Sequence, residues 1–288
     1  MQHPAVWRVV GAALLFSTGG AAIKAGAFSG MQVASIRSGI AAVALLLWVR
    51  GGARWSWRVL PIAGVYAATL VLFVMSTKLT TAASAIFLQS TAPLYIVALA
   101  PLLLGERFNR RDLLFVSAAA AGLAFCFLGQ PAATTTAPDP VLGNVLGAAC
   151  SVTWALTLLG LRWGERHAPG TALAAVVTGN MLAFASGIPA LFPLPAASPA
   201  EWATLVYLGV FQIGLAYILL TSAVGHLPAL HISLLLLLEP VLSPIWTWLV
   251  HGEDPGGWTL VGGAIVTIAS GTQALLHPRD RRMDKTQR

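Results

Sequence analysis

The hydrophobic pattern of the chain consists of long uninterrupted runs. Thr80 to Gly105, TTAASAIFLQSTAPLYIVALAPLLLG, contains no charged residue. A bilayer core is crossed by about 20 apolar residues in a helix, so this run is long enough to span one. Leu113–Pro138, Pro140–Leu161 and Pro255–Pro278 are equally free of charge. Read together, the runs predict ten spans, at 7–27, 31–49, 59–78, 80–105, 111–130, 142–164, 170–192, 202–225, 228–251 and 257–276. The connections are short. Arg50–Arg58 and Glu106–Asp112 are charged turns, while Pro193–Pro199 and Gly252–Gly257 are Pro/Gly turns. Gly129–Pro140, GQPAATTTAPDP, is the longest polar stretch and suits an exposed linker. It divides the chain into 1–136 and 137–288. Arg8 ahead of an apolar run has the layout of a signal peptide, but the run continues to Ile23 without a cleavage site.

Composition sharpens this picture. Of 288 residues, 57% are hydrophobic and 9% charged, against about 25% charged in soluble domains. The solvent for such a surface is lipid. The fold class is therefore all-α integral membrane, with ten transmembrane helices. Basic residues set its orientation. With an even number of spans, fourteen Lys and Arg fall on the side of the N-terminus: Arg8, Arg50, Arg54, Arg58, Arg107, Arg110, Arg111, Arg162, Arg166, Arg279, Arg281, Arg282, Lys285 and Arg288. Lys78 alone falls on the other side, and Lys24 and Arg37 lie within spans. Lys and Arg collect on the cytoplasmic side, so both termini are expected there. The positive charge thus reports topology, and no nucleic-acid partner is expected. Cys126 and Cys150 sit in apolar segments without metal-ligand spacing, so neither a metal nor another cofactor is expected.

The chain repeats itself. A shift of 147 places Pro93 on Pro240, Gly105 on Gly252 and Glu106 on Glu253, and a shift of 145 places Gly64 on Gly209. Five spans in each half is an odd number, so the second half must enter the membrane in the opposite sense. This is the inverted-repeat plan of many secondary transporters, with a site near the midplane where the halves meet.

Ala92–Phe125 (APLYIVALAPLLLGERFNRRDLLFVSAAAAGLAF) and Leu238–Gly271 (LEPVLSPIWTWLVHGEDPGGWTLVGGAIVTIASG) resemble the two EamA repeats of the drug/metabolite transporter superfamily. Among its members the chain is most similar to bacterial amino-acid exporters of the YddG type. The resemblance implies ten helices, cytoplasmic termini, a bacterial inner-membrane location and export of small metabolites.

Candidate transport residues follow from position. Ser84, Leu88, Thr91 and Tyr95 form one helical stripe on span four, and His231, Leu235, Leu238 and Leu242 form the corresponding one on span nine. Gln89 and Pro93 lie off the first stripe. Tyr66 and Phe73 from span three, Ser151, Thr153, Trp154 and Thr157 from span six, and Phe211, Gln212 and Tyr217 from span eight add aromatic walls and a few polar groups. Glu239 stands mid-membrane before Pro240, and intramembrane carboxylates face a cavity or a partner. It can bind a substrate ammonium, carry a coupling proton or cap donors freed by Pro240, while its counterpart in the first half is Ala92. Lys24 and Arg37 can attract a substrate carboxylate or snorkel. Tyr207, Trp202 and Trp258 fit an interfacial belt. Glu106 and Glu253 fit turn-holding or pairing with Arg. Pro93 and Pro240 each remove a helical donor, which makes them hinge candidates.

Together these features point to a transporter working by alternating access. Its partners would be the bilayer and a small amphipathic solute, most simply an amino acid, and a monomer is compatible with the sequence. A drug exporter or a lipid-linked flippase would use the same fold. An integral-membrane enzyme is disfavoured, because there is no metal motif, nucleophile elbow or carboxylate pair within a span.

Overall fold

The computed structural model describes residues 3–24, 26–49, 52–106, 110–128, 137–251, 257–258, 260–262, 264–269 and 272. The chain forms α1 (His3–Ser17), α2 (Gly19–Lys24), α3 (Gly30–Trp48), α4 (Val59–Leu79), α5 (Ala82–Gln89), α6 (Ala92–Leu104) and α7 (Arg110–Leu128). The second half forms α8 (Pro140–His167), α9 (Thr171–Gly187), α10 (Pro199–Tyr207), α11 (Ala216–Val224), α12 (Ala229–Leu236) and α13 (Leu238–His251), followed by an apolar helix α14 (Leu260–Ala269). Among the described residues, seven helical stretches are long and apolar enough to cross a bilayer. They coincide with spans one to four and six to eight of the sequence. Span five is α7, which opens on Arg110, Arg111 and Asp112. Spans nine and ten appear as the shorter apolar stretches Ala229–Ser243 and Leu260–Ala269. Glu253, residues 129–136 and the tail from His277 lie outside the described residues.

Spans four and nine, expected as single helices, are each two helices. The cause is local. Pro93 has no N–H to give the carbonyl of Gln89, and its ring crowds that carbonyl; Gln89 is the last residue of α5. Pro240 stands in the same relation to Leu236, the last residue of α12. The same proline therefore breaks the same helix in both halves, and the hinge candidates Pro93 and Pro240 sit just beyond the breaks. Pro101, by contrast, is absorbed inside α6.

The two halves interlock with a two-fold pattern. α4 packs on α8, and its image, α11, packs on α1. α4 also packs on α9, matched by α3 against Leu208–Leu215. α5 and α6 lie on α8, matched by α12 and α13 on α1, while α3 meets its own image α9. α7 approaches α14 so closely that a Cβ on Gly122 would lie 2.9 Å from the Gly262 carbonyl. Small residues of this kind let membrane helices touch. Outward faces are apolar: Leu102 is 81% and Leu47 69% exposed, which only a lipid environment tolerates over so wide an area.

Hydrogen bonds identify the two ends of the bundle. At one end, Arg54 N–H donates to the Gly170 carbonyl at 3.1 Å, Arg8 Nη1 donates to the Ser222 carbonyl at 3.3 Å, and Glu106 accepts from Ala229 N–H at 3.1 Å. At the other end, Ala27 N–H donates to Glu201 at 2.7 Å, Asp139 N–H donates to the Leu79 carbonyl at 3.1 Å, and Lys24 donates to the carbonyls of Thr77 and Thr80. Helix caps shape this second end. Ser29 with Gln32 and Ser198 with Glu201 form capping boxes, and Asp139 caps α8. α5 begins at the Lys24 end and its repeat partner α12 at the Glu106 end. The matching helices run in opposite senses.

Candidate functional site

A small cavity lies where the halves meet. The first half supplies Phe16, Arg37, Thr69, Leu70, Phe73 and Gln89; the second supplies Trp154, Gln212, Ile213, Tyr217 and Glu239. Its volume is about 40 Å³, room for roughly two or three waters. An organic solute requires the halves to move apart.

Three aromatic residues form a continuous wall. Phe16 meets Trp154 edge-on at 6.3 Å and Tyr217 at 5.2 Å, and Trp154 meets Tyr217 at 6.4 Å. Such contacts hold rings at fixed angles and are worth about 0.5–1.5 kcal/mol each beyond burial. Behind Tyr217 stands Tyr66, 4.7 Å away and 62° tilted. The Tyr66 hydroxyl accepts from Asn180 Nδ2 at 3.1 Å.

Polar groups punctuate the wall. Arg37 is 1% exposed. Its Nη1 donates to Gln212 Oε1 at 3.4 Å and its Nη2 to the Leu70 carbonyl at 3.3 Å, while Nε has no hydrogen-bond partner. Glu239 is 6% exposed. Among the described residues its carboxyl has no ion-pair partner, and Arg37 is not joined to it. Tyr217 lines the same cavity as both, and Cys150 Sγ donates to the Thr69 carbonyl at 3.6 Å. Gln89 Oε1 accepts from Cys150 Sγ at 3.6 Å.

The backbone that presents Gln212 and Ile213 is unusual. Leu208–Leu215 is π-helical, a wide-turn form found mostly in short pieces at functional sites. Glycines allow its placement. A Cβ on Gly209 would lie 2.7 Å from Ile40 Cβ and 2.8 Å from the Arg37 carbonyl, and one on Gly19 would lie 2.6 Å from Gln212 Nε2. The π segment is thereby pressed onto α3 beside Arg37. Gly64, aligned with Gly209 by the repeat, has open space around it.

Of the candidates drawn from sequence, the cavity brings together Arg37, Phe73, Trp154, Gln212, Tyr217 and Glu239. The others lie elsewhere. Ser84 is held by the Thr81 cap of α5. Thr91 bonds Ser151 at 2.8 Å and the Leu88 carbonyl at 2.7 Å, joining the break in span four to α8. Tyr95 is 36% exposed on the outer surface, and His231 is buried in α12 away from the lining. Lys24 closes one end of the bundle. The break after Gln89 explains the shift: a stripe drawn across it assumes one continuous helix, whereas Gln89, off that stripe, is the residue of α5 that reaches the cavity. Phe16, Thr69, Leu70 and Ile213 were not singled out from sequence. Thr69 and Leu70 carry a usable signal, lying one turn before Phe73 on α4.

Glu106 has a different role. It follows Gly105, whose left-handed φ of 63° closes α6. Its carboxylate pairs with Arg162, lies 3.8 Å from Arg166, and accepts from Ala229 N–H at 3.1 Å. Arg162 Nη1 donates to the Val224 carbonyl at 2.7 Å. Pro228, ahead of α12, offers no side-chain cap, so Glu106 reaches from the other half to satisfy that helix end.

The EamA-like transporter family matches the chain over residues 3–128 and 141–271, which leaves out the polar seam between the halves. One solved crystal structure superposes with a TM-score of 0.78 at 24% identity, covering 97% of this chain and 99% of that one; this likeness concerns the fold. No curated protein matches the sequence.

Proposed function

We propose, from the premise that the chain belongs to the EamA-like transporter family, that this membrane transporter exports small amphipathic metabolites, chiefly amino acids including aromatic ones. As an EamA-like protein it is a multi-pass transporter of the drug/metabolite superfamily. The bacterial inner membrane, ten spans and cytoplasmic termini complete the proposal. The basic residues at the Glu106 end support that orientation.

The observation that carries the substrate class is the shared cavity. Aromatic walls from both halves surround one buried guanidinium and one buried carboxyl that are not paired with each other. Such walls suit a compact solute with an apolar body, and sparse polar groups fix its orientation. Phosphorylated solutes call for a cluster of cations, and among the described lining residues Arg37 is the one cation. Transport follows by alternating access. The cavity opens to the Glu106 end when that end separates and to the Lys24 end when the other does, the two-fold contact pattern allowing the halves to exchange roles.

The test is counterflow in proteoliposomes preloaded with unlabelled amino acids. Labelled amino acid entering above empty vesicles, without an ion gradient, supports an amino-acid carrier able to work by facilitated diffusion. Folded protein that moves no amino acid transfers the proposal to a drug or lipid-linked cargo.

A further inference from the structure

Arg37 and Glu239 are two buried ionisable side chains of opposite type, with no ion pair between them among the described residues. Isolated buried charges are costly, and proteins keep them where something else completes them. Both poles lie on one cavity, in different halves: Arg37 on α3 and Glu239 on α13. The Arg37 Nε, buried and unpartnered, leaves part of the guanidinium fork open, and a carboxylate fits such a fork through paired N–H donors. Tyr217 lines the same cavity as the two poles, with Phe16 and Trp154 beside it.

We infer that the cavity recognises the zwitterion itself: Arg37 takes the substrate α-carboxylate, Glu239 takes its α-ammonium, and the side chain lies against Phe16, Trp154 and Tyr217. The inference rests on the amino-acid function proposed above and adds the residues that read each end. It explains why the first-half counterpart of Glu239 is Ala92: a second carboxyl at the symmetric position would oppose the substrate carboxylate. It also explains why the two charges come from separate halves. A bound zwitterion joins α3 to α13 and draws the halves onto it. A solute lacking either charge would leave one pole desolvated and unpaired as the cavity closes.

The test compares ligands that differ only in one charge. Counterflow is measured with the labelled amino acid that gives the largest signal, phenylalanine first, against its unlabelled form and its one-charge analogues. For phenylalanine these are phenylethylamine, which lacks the carboxylate, and 3-phenylpropionate, which lacks the ammonium. In the wild-type protein each analogue should compete about 30-fold less well, the order of magnitude of one lost hydrogen bond to a charged group. Glu239→Gln should narrow the gap between 3-phenylpropionate and phenylalanine to within about threefold while phenylethylamine stays excluded. Arg37→Gln should do the reverse. Arg37 also bonds Gln212 and the Leu70 carbonyl, so folding of that variant is checked by thermal unfolding, and the wild-type comparison stands without it. Analogues that compete as well as the amino acid overturn the inference and leave the amino-acid carrier intact. Variants that weaken all three ligands equally overturn the assignment of poles. Failure of folded wild-type protein to move any amino acid overturns both readings.

Discussion

Glu106→Gln removes one negative charge from the point where the first half grips the second. The carboxylate pairs with Arg162, whose side chain is 8% exposed against 11% for Glu106, and it also accepts from the start of α12. Arg162 would keep its 2.7 Å bond to the Val224 carbonyl, and Arg166, 47% exposed, is solvated already. Breaking a buried pair from one side costs about 3–5 kcal/mol; the surviving bond argues for the low end. The glutamine retains an oxygen for Ala229 N–H, so the loss is chiefly the ion pair. If the conformation open at this end lacks the pair, the whole of that energy moves the equilibrium toward opening. About 3 kcal/mol corresponds to roughly a hundredfold change in population.

Access to the cavity measures this shift. Leu70 lines it, so Leu70→Cys in a background with Cys126 and Cys150 replaced by serine reports its exposure. A membrane-impermeant thiol reagent is applied from one face and then the other, in vesicles of known orientation. Glu106→Gln should speed labelling from the Glu106 face by roughly a hundredfold and slow it from the Lys24 face. Unchanged labelling from the Glu106 face, in protein that unfolds at the wild-type temperature, refutes the reasoning. Faster labelling from both faces refutes it too, because that would be general loosening.

Lys24→Met, which removes the donor to Thr77 and Thr80, should have the opposite polarity in the same labelling assay, speeding access from the Lys24 face. Trp154→Ala, which deletes edge contacts to Phe16 and Tyr217, and Glu239→Gln should each lower counterflow of a wild-type substrate at least about tenfold at matched expression, the order of two or more lost contacts. Trp258→Ala, which loses stacking on Phe125 at 5.7 Å, should leave counterflow within about twofold, since that pair stands apart from the cavity. Gly209→Ala should lower thermal stability by about 1–3 kcal/mol through overpacking against Ile40 and the Arg37 carbonyl. Gly64→Ala, with nothing within 4 Å, should be neutral or slightly stabilising, and equal unfolding temperatures for the two variants would contradict the close approach assigned to the π segment.

Much of the scaffold is legible in the chain because lipid imposes simple rules. Apolar length marks the spans, and the recurrence of Pro93 as Pro240 and of Gly105 as Gly252 marks the repeat. The breaks in spans four and nine were accessible from the same prolines by counting back to the carbonyl each one loses. Their consequence for side chains was harder to see: once the helix restarts, the residues before and after the break no longer share one face, so Gln89 turns inward while Thr91 joins α8. The π segment had no comparable signal. A π turn depends on how α3 and α1 receive it, and Gly209 and Gly19 acquire meaning only once Arg37 and Gln212 are beside them. Arg37 and Glu239 stood out because ionisable residues are rare within spans. That both lie on one cavity, unpaired with each other, is a property of packing.

The two ends of the bundle are built from one design with different parts. Thr77 stands five residues before α5 begins, and Val224 five before α12. The carbonyl of each receives a cation, Lys24 at one end and Arg162 at the other. These cations are not repeat partners, since one ends α2 and the other lies late in α8. The same weak point, the helix end leading into each broken helix, has therefore been secured separately at each face. A symmetric scaffold makes the two open conformations near equivalents, so any bias between them must come from the parts that differ. The Glu106 end has a buried carboxylate beside its cation, whereas Lys24 bonds backbone carbonyls. Among the described residues the close ion pairs lie at the Glu106 end, and the resting protein should favour closure there. The Glu106 and Lys24 variants probe the two sides of that balance, and combining them should return access at the two faces toward equality.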